Sequence, residues 1–576
     1  MLKKSCKCLL LSSFTIDNFA AYLANDKTGP KVNILKTSSY DQISQSLLNE
    51  NDECWQENPD FVILWTQPER VISSFQNFLE NKNDSIENIL SEVDQYALQV
   101  LNIKNKVKYI FLPSWALTGG NKGAGLLDMK PGLGVANTLM KMNLRLAENF
   151  NQESHIFVLN SQKWLETAGE NSFDPKLWFM AKIAFSNEVF QQAVKDVKAA
   201  MRAVLGLSKK LIILDLDDTL WGGIVGEVGW QNIRLGGHDY VGESYTEFQR
   251  ELKALTKRGI ILGIASKNDE AIALEAINNH QEMILREEDF AGWKINWDDK
   301  AKNIIELAEE MNLGLQSVVF IDDNPSERDR VREALPEVYV PKWPRDSMLY
   351  KQALQNLRCF DTPSVTREDA EKTKMYVAEK KRGHLKKNIP SLDEWLQTLQ
   401  ITVKTDSLNE SNIKRTTQLL NKTNQMNLST RRLSENELLE WEQSEGNYLW
   451  VFFVSDKFGD SGLTGLISMQ QTNGEAAVVD FLLSCRVMGR KVEETMLYVI
   501  CRYAKSLEIK KVKASYILTA KNNPCLKFFD QSGFNREPNS CDFSWDLKDD
   551  YPLPSFIRIQ ELNGCYTKTP SKPGIS

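Results

Sequence analysis

The chain has 576 residues, 42% hydrophobic and 26% charged, with a formal net charge of −7. At roughly 100–200 residues per domain, this length provides about three to five domains, each able to bury its own core. The acidic excess excludes a general attraction to nucleic acid or anionic membrane, and no apolar run reaches the ~20 residues needed to span a bilayer. Nine cysteines, scattered from Cys6 to Cys565, suit a reducing cytoplasm better than a disulfide framework.

Up to about residue 205, apolar runs at 8–12, 32–36, 61–65, 108–112 and 156–159 alternate with amphipathic stretches such as 85–104 and 134–149. The alternation predicts a parallel sheet covered by helices, an α/β domain over 1–205. A second such unit is predicted over 208–345, with strands at 211–215, 260–265 and 317–321 and helices at 243–258 and 300–312. Residues 346–389 read as a charged linker. Its basic run KKRGHLKK at 380–387 is either a solvated helix or a docking patch for an acidic partner. A third unit, 390–550, has predicted strands at 448–454, 476–483 and 511–516 and helices at 409–421 and 491–507. The segment 551–576, rich in Pro, Gly, Ser and Thr, is expected to be a loose tail.

The chemistry concentrates in the second unit. ILDLDDTLWGG at 213–223 sets two carboxylates, Asp215 and Asp217, just past a buried strand, where open α/β sheets bind ligands. Two residues apart on a regular strand they would face the same way, so a division of labour requires the chain to turn between them. One carboxylate can attack phosphorus and become an acyl phosphate; the other can protonate the leaving oxygen and then activate water. Attack by an anion on an anionic phosphate also needs a cation, and Mg²⁺ with carboxylate ligands suits the task. Ser266, ending the strand at 260–265, can donate to a phosphate oxygen. Lys300, opening a helix, can neutralise the phosphoryl charge. Asp322 and Asp323, ending the strand at 317–321, can hold the metal with Asp215 and Asp217. Asp218 and Asn268 read as turn residues. The intervals Asp215–Ser266 and Ser266–Lys300 hold no room for a full cap domain, so the site is expected to be open.

These four pieces, in this order, resemble the motifs of the haloacid dehalogenase superfamily. DLDDTLWGGIVGEVG (215–229), IASKNDE (264–270), NWDDKAKNI (296–304) and FIDDNPSERDRVREALPEV (320–338), with NKTNQMNLSTRRLSE (421–435) and FLLSCRVMGRKVEE (481–494), are similar to one branch of it, the FkbH-like proteins of polyketide assembly. The resemblance implies a central HAD-like domain with a minimal cap. It also implies an enzyme that takes the acyl phosphate 1,3-bisphosphoglycerate, removes phosphate, and loads the three-carbon glyceryl group onto a phosphopantetheinylated acyl carrier protein. A Mg²⁺-dependent phosphatase for another small phosphate ester is the alternative.

The third unit resembles a GNAT acyltransferase. Arg486, Gly489 and Arg490 fall in its pyrophosphate loop and Asn522 in its second motif, which implies a groove for pantetheine; Lys491 and Phe529 depart from the pattern. Cys485, directly before the loop, is expected at a helix start beside Arg486, a setting that favours thiolate and makes it the candidate acyl carrier. The first unit reads as flavodoxin-like or SGNH-hydrolase-like and catalytically degenerate: Ser12 or Ser13 ends the first strand, but Leu177 stands where that fold has its histidine.

Overall fold

The computed structural model describes residues 5–561 apart from 38–42, 50–52, 83, 118–122, 124, 366–368, 370, 372, 377–381, 383–388, 390, 473, 520 and 539. The chain divides into two compact units, Met1–Arg202 and Ala203–Ser576.

The first unit holds five strands, β1 (Cys6–Ser12), β2 (Val32–Thr37), β3 (Phe61–Trp65), β4 (Tyr109–Pro113) and β5 (Ile156–Leu159). Each predicted apolar run became a strand. All pairs are parallel, and the order β2-β1-β3-β4-β5 is that of flavodoxin-like sheets. The near-continuous burial of β1 and β3 is that of strands covered on both faces. Ser12 and Ser13 end β1 as expected, but both are buried. Their hydroxyl oxygens accept the N–H groups of Phe14 (3.2 Å) and Gln67 (2.8 Å), which is a structural use. The strand order thus supports the flavodoxin-like reading.

The second unit contains two sheets. The smaller comprises β6 (Leu211–Leu214), β7 (Ile261–Ser266), β8 (Phe290–Ile295) and β9 (Val318–Ile321), all parallel in the order β8-β7-β6-β9. The predicted helices appear as Tyr240–Lys257 and Lys300–Glu310. Strand β8 was not foreseen; it is an edge strand bound to β7 alone, and Gly292 and Lys294 interrupt its apolar pattern.

The larger sheet comprises β10 (Thr402–Ser407), β11 (Met426–Asn427), β12 (Asn447–Asp456), β13 (Gly459–Thr472), β14 (Glu475–Leu483), β15 (Lys511–Ser515), β16 (Asn535–Arg536), β17 (Asp542–Asp546) and β18 (Arg558–Glu561). Its order is β16-β17-β15-β14-β13-β12-β10-β18, with β11 beside β14. Helix Val492–Ser506 packs its buried face against this sheet. Strand β18 corrects the reading of a loose tail from residue 551: it pairs in parallel with β10, while residues 562–576 lie outside the described residues. Most of the run at 380–387 does too. Its Arg382 is described and is buried against Asp456 rather than solvated. No helix among the described residues is long and apolar enough to cross a membrane.

Candidate active site

Asp215 and Asp322 are placed by sheet register. Leu214 pairs with Ile321 across β6 and β9, so the next residue on each strand emerges at the same sheet edge, and the Asp215 N–H still donates to the Ile321 carbonyl at 3.0 Å. The chain then turns. Asp218 adopts a left-handed backbone (φ 51°), and its carboxylate accepts the Gly223 N–H at 2.7 Å. Asp217 is thereby turned away from Asp215. Its Oδ1 accepts Trp221 Nε1–H (2.9 Å) and the Val225 N–H (3.0 Å), and its Oδ2 accepts Asn268 Nδ2–H (2.7 Å). The two carboxylates thus meet different partners.

Lys300 opens helix Lys300–Glu310, where Asp299 caps the N-terminus. Its buried ammonium lies 2.6 Å from Asp322 Oδ2 and 3.0 Å from Asp215 Oδ2. Burial works against that charge, but Asp215 and Asp322 outweigh it and raise the lysine pKa. Asp322 is itself raised, by burial and by the Asp215 charge. Burial also raises Asp217 and Asp323. A carboxyl that keeps its proton longer can act as a proton donor.

Ligand oxygens of Asp215, Asp322 and Asp323 all lie within 4.8 Å of one another. One ammonium cannot balance three crowded carboxylates, two of them buried and Asp323 half-buried, so the donor set fits a hard divalent cation such as Mg²⁺. Such an ion, when bound, supplies charge neutralisation to the transferring phosphoryl group. Asp217, expected among the metal ligands, is not in this cluster; its oxygens accept the bonds from Trp221, Val225 and Asn268. Ser266 ends β7, two residues beyond the Leu214–Ile264 pair, at the same edge.

Three residues escaped the sequence reading. Asn268 was taken for a turn residue, yet it fixes Asp217. Thr219 bonds Asp323 twice, accepting its N–H at 3.1 Å and donating to its Oδ1 at 3.3 Å. Arg328 donates to the carbonyls of Asp322 and Asp323, each at 2.6 Å. All three act across 5 to 104 positions in sequence, and the one available signal is the Thr two places after Asp217.

The rim is open. Residues 215–300 contain no inserted domain, only the short helix Val225–Val228, helices Tyr240–Lys257 and Glu270–Asn279, the single turn Glu287–Asp289, and strands β7 and β8. Ile224 and Trp297 on the site's flanking loops are exposed.

The groove expected in the third unit is not assembled. Strands β14 and β15 pair only over Glu475–Val478 and Lys511–Ala514 and then part. The wedge between them is filled by the chain itself: Met426 and Asn427 pair with Leu483 and Leu482, the Leu428 N–H donates to the Phe481 carbonyl, and the Ile517 N–H to the Leu428 carbonyl. Buried Asp480 pins this segment through Ser429 and Arg431. The expected pantetheine residues have other duties. Asn522 is buried, donating to the Asn427 and Ile517 carbonyls and accepting from Tyr516 and Thr519. Arg490 is buried against Asp456, which Arg382 also holds. Arg486 donates to Ser484 Oγ and to the Met375 sulfur. The Gly489 N–H donates to Glu493 Oε1 at 2.7 Å, so a carboxylate of the chain takes the place of a phosphate oxygen.

Glu493 makes a prediction. Burial pushes its carboxyl up to about 7 from 4.5, the Gly489 N–H offsetting only part of the cost. Folding then binds this proton more tightly than the unfolded chain does, so its stabilising effect is whole below the unfolded value and is lost as pH rises through about 7. Glu493→Gln removes that dependence and is the more stable protein at about pH 8, by up to ~3 kcal/mol. Denaturant unfolding of both proteins at about pH 5 and about pH 8 checks it; an equal difference at the two pH values would refute the assignment.

Cys485 opens the short turn Cys485–Val487, and helix Val492–Ser506 begins seven residues later. The expected helix-start setting is therefore corrected. The thiol lies 3.9 Å from the Tyr376 hydroxyl in a cleft shared with Lys210. Lys210 directly precedes β6, whereas Asp215 directly follows it. At about 3.3 Å per residue, the strand separates the two ends by roughly 16 Å.

The parallel sheet carrying these carboxylates and Lys300 at one edge defines an enzyme of the HAD-like phosphatase class. Residues 23–199 match the family described as FkbH, N-terminal domain. The N-terminal part of the protein BF1531 from Bacteroides fragilis, containing a phosphatase domain complexed with Mg, is 28% identical, with a TM-score of 0.57, over 62% of this chain and 95% of that one. Ribosomal-protein-S18-alanine N-acetyltransferase from Escherichia coli matches 25% of this chain and 94% of its own at 9% identity and a TM-score of 0.20. Spermidine N-acetyltransferase from Vibrio cholerae, in complex with CoA and spermine, matches 26% and 97% at 16% identity and a TM-score of 0.21. No curated protein matches the chain.

Proposed function

We propose that this protein removes phosphate from a small phosphorylated three-carbon acid and loads the acyl group, glyceryl from 1,3-bisphosphoglycerate, onto the pantetheine thiol of an acyl carrier protein. The observation that carries the phosphoryl half is the convergence of Asp215, Lys300, Asp322 and Asp323 at one sheet edge. Asp215 attacks phosphorus. Asp217, held by Asn268, gives its proton to the leaving oxygen and then takes one from the water that hydrolyses the acyl phosphate. Ser266 and Lys300 hold phosphate oxygens, and Mg²⁺ belongs with Asp215, Asp322 and Asp323. The FkbH-like N-terminal stretch supports the acyl half.

The acyl group needs an acceptor other than the phospho-aspartate, and Cys485 is the proposed one. Its place at the far end of β6 separates acyl transfer from phosphoryl transfer, so Cys485→Ala abolishes carrier acylation and the phosphate that leaves with it, while hydrolysis of a phosphate ester at Asp215 stays within about threefold of wild type. Intact-protein mass of a carrier incubated with enzyme and candidate phosphates measures both, with released phosphate assayed alongside. Loading at the wild-type rate by the variant would move transfer directly to the carrier thiol. The same separation favours a second reading, a Mg²⁺-dependent phosphatase for another small ester; no carrier adduct with any candidate would establish it.

A further inference from the structure

The cleft that holds Cys485 lies between the starting edge of the smaller sheet and the chain around β11 and β14. It has a cavity volume of about 70 Å³ and is lined by Lys210, Lys422, Lys521, Ser208 and Ser317 besides the thiol. Three lysines converge here, and no acid is among the described residues that line the cleft. Lys210 is fixed by the sheet: its N–H donates to the Ser317 carbonyl at 2.8 Å, and its carbonyl accepts the Ile261 N–H at 2.9 Å. Lys521 is fixed by the Thr519–Asn522 turn, where its N–H donates to Thr519 Oγ1. Neighbouring Lys209 spends its ammonium on the carbonyls of Gln316 and Glu337, and Lys422 lies 3.9 Å from Asp369. Among the described residues the ammonium groups of Lys210 and Lys521 form neither an ion pair nor a hydrogen bond.

Two lysines held partly out of water without an anion are costly. Burial and the charge of Lys210 lower the Lys521 pKa, with Glu337 opposing. Burial also lowers Lys210, with Arg432 adding to it and Cys485 and Asp369 opposing. An anion between the two would relieve both, and a phosphate offers several acceptors to ammonium groups.

We propose that this cleft is an anion site, distinct from the phosphoryl site, which seats the phosphate group of a small ligand on Lys210 and Lys521 and presents the ligand's reactive end to Cys485. The assignment deepens the proposed function and rests on Cys485 as acyl acceptor. The phosphate has two sources. In an acyl phosphate, the Cys485 sulfur attacks the carbonyl carbon. A carbon–sulfur bond forms, the bond from that carbon to the phosphate oxygen breaks, and inorganic phosphate departs with the thiol proton, its charge balanced by the lysines. In a phosphopantetheine arm, the arm's thiol attacks the Cys485 thioester, and the cysteine leaves with the proton.

Protection of Cys485 from alkylation tests the site without turnover. The full chain is treated with a limiting maleimide, and Cys485 labelling is followed by peptide mass in chloride or inorganic phosphate at equal ionic strength. Phosphate slows labelling at least about threefold in the wild type, and the effect is lost in Lys521→Gln and in Lys210→Met. Equal rates in the two salts, or full protection in both variants, would overturn the assignment. An acyl phosphonate analogue protecting at lower concentration than phosphate identifies the substrate as the source; phosphopantetheine doing so identifies the carrier arm. Protection without any carrier loading leaves the anion site standing and removes the loading function instead.

Discussion

Asp215→Asn keeps the fold and lowers phosphate release from a phosphate ester by at least about three orders of magnitude. Asp215 Oδ2 lies 3.0 Å from the Lys300 ammonium, and its backbone is locked by the bond to the Ile321 carbonyl. An amide of the same shape keeps that backbone bond but has no oxygen nucleophile able to form an acyl phosphate. Replacing a buried carboxylate beside two others also relieves repulsion, so thermal stability is not expected to fall. A mass adduct of phosphate on the Asp215 peptide of the wild type, absent in the variant, supplies direct proof. Release within tenfold of wild type, with an unchanged melting temperature, would remove Asp215 from the mechanism.

Chelation of divalent metal lowers turnover at least about a hundredfold, and added Mg²⁺ restores it. Asp215, Asp322 and Asp323 crowd their oxygens within 4.8 Å. Two like charges about 4 Å apart repel by roughly 4 kcal/mol at an effective dielectric of about 20, and Lys300 supplies one positive charge against three negative. A phosphate entering this edge meets further repulsion unless a cation is present. A readout free of turnover exists as well: Mg²⁺ at ~100 times its dissociation constant adds about 2.7 kcal/mol of stability, and Asp323→Asn reduces that gain. Full activity in excess chelator would sink the metal assignment.

The phosphoryl site was legible because its parts are local events at strand ends. A buried apolar run fixes β6 or β9, and the next residue must emerge at the sheet edge. The motif DLDD and the pair Asp322-Asp323 therefore announce their position before any fold is known. The same logic found all five strands of the first unit. It failed on β13, where Gly459, Gly462 and Gly465 break the apolar pattern, and on edge strand β8.

Sequence by itself thus determined which residues meet at the edge of the smaller sheet and in what order, since each is set by the strand or helix it borders. Tertiary structure alone decided what the third unit does with its motifs. Arg490, Gly489 and Asn522 occupy the anticipated places, yet Asp456, Glu493 and the segment around Asn427 claim their hydrogen bonds. Asn427 and Asn522 stand 95 positions apart. Such pairings depend on which strands part and what fills the gap, a matter of long-range packing that no local pattern encodes. The same holds for Cys485, whose position is set by the packing of two sheets: Lys210 and Asp215 are five residues apart in the chain, but the strand between them puts their chemistry at opposite edges.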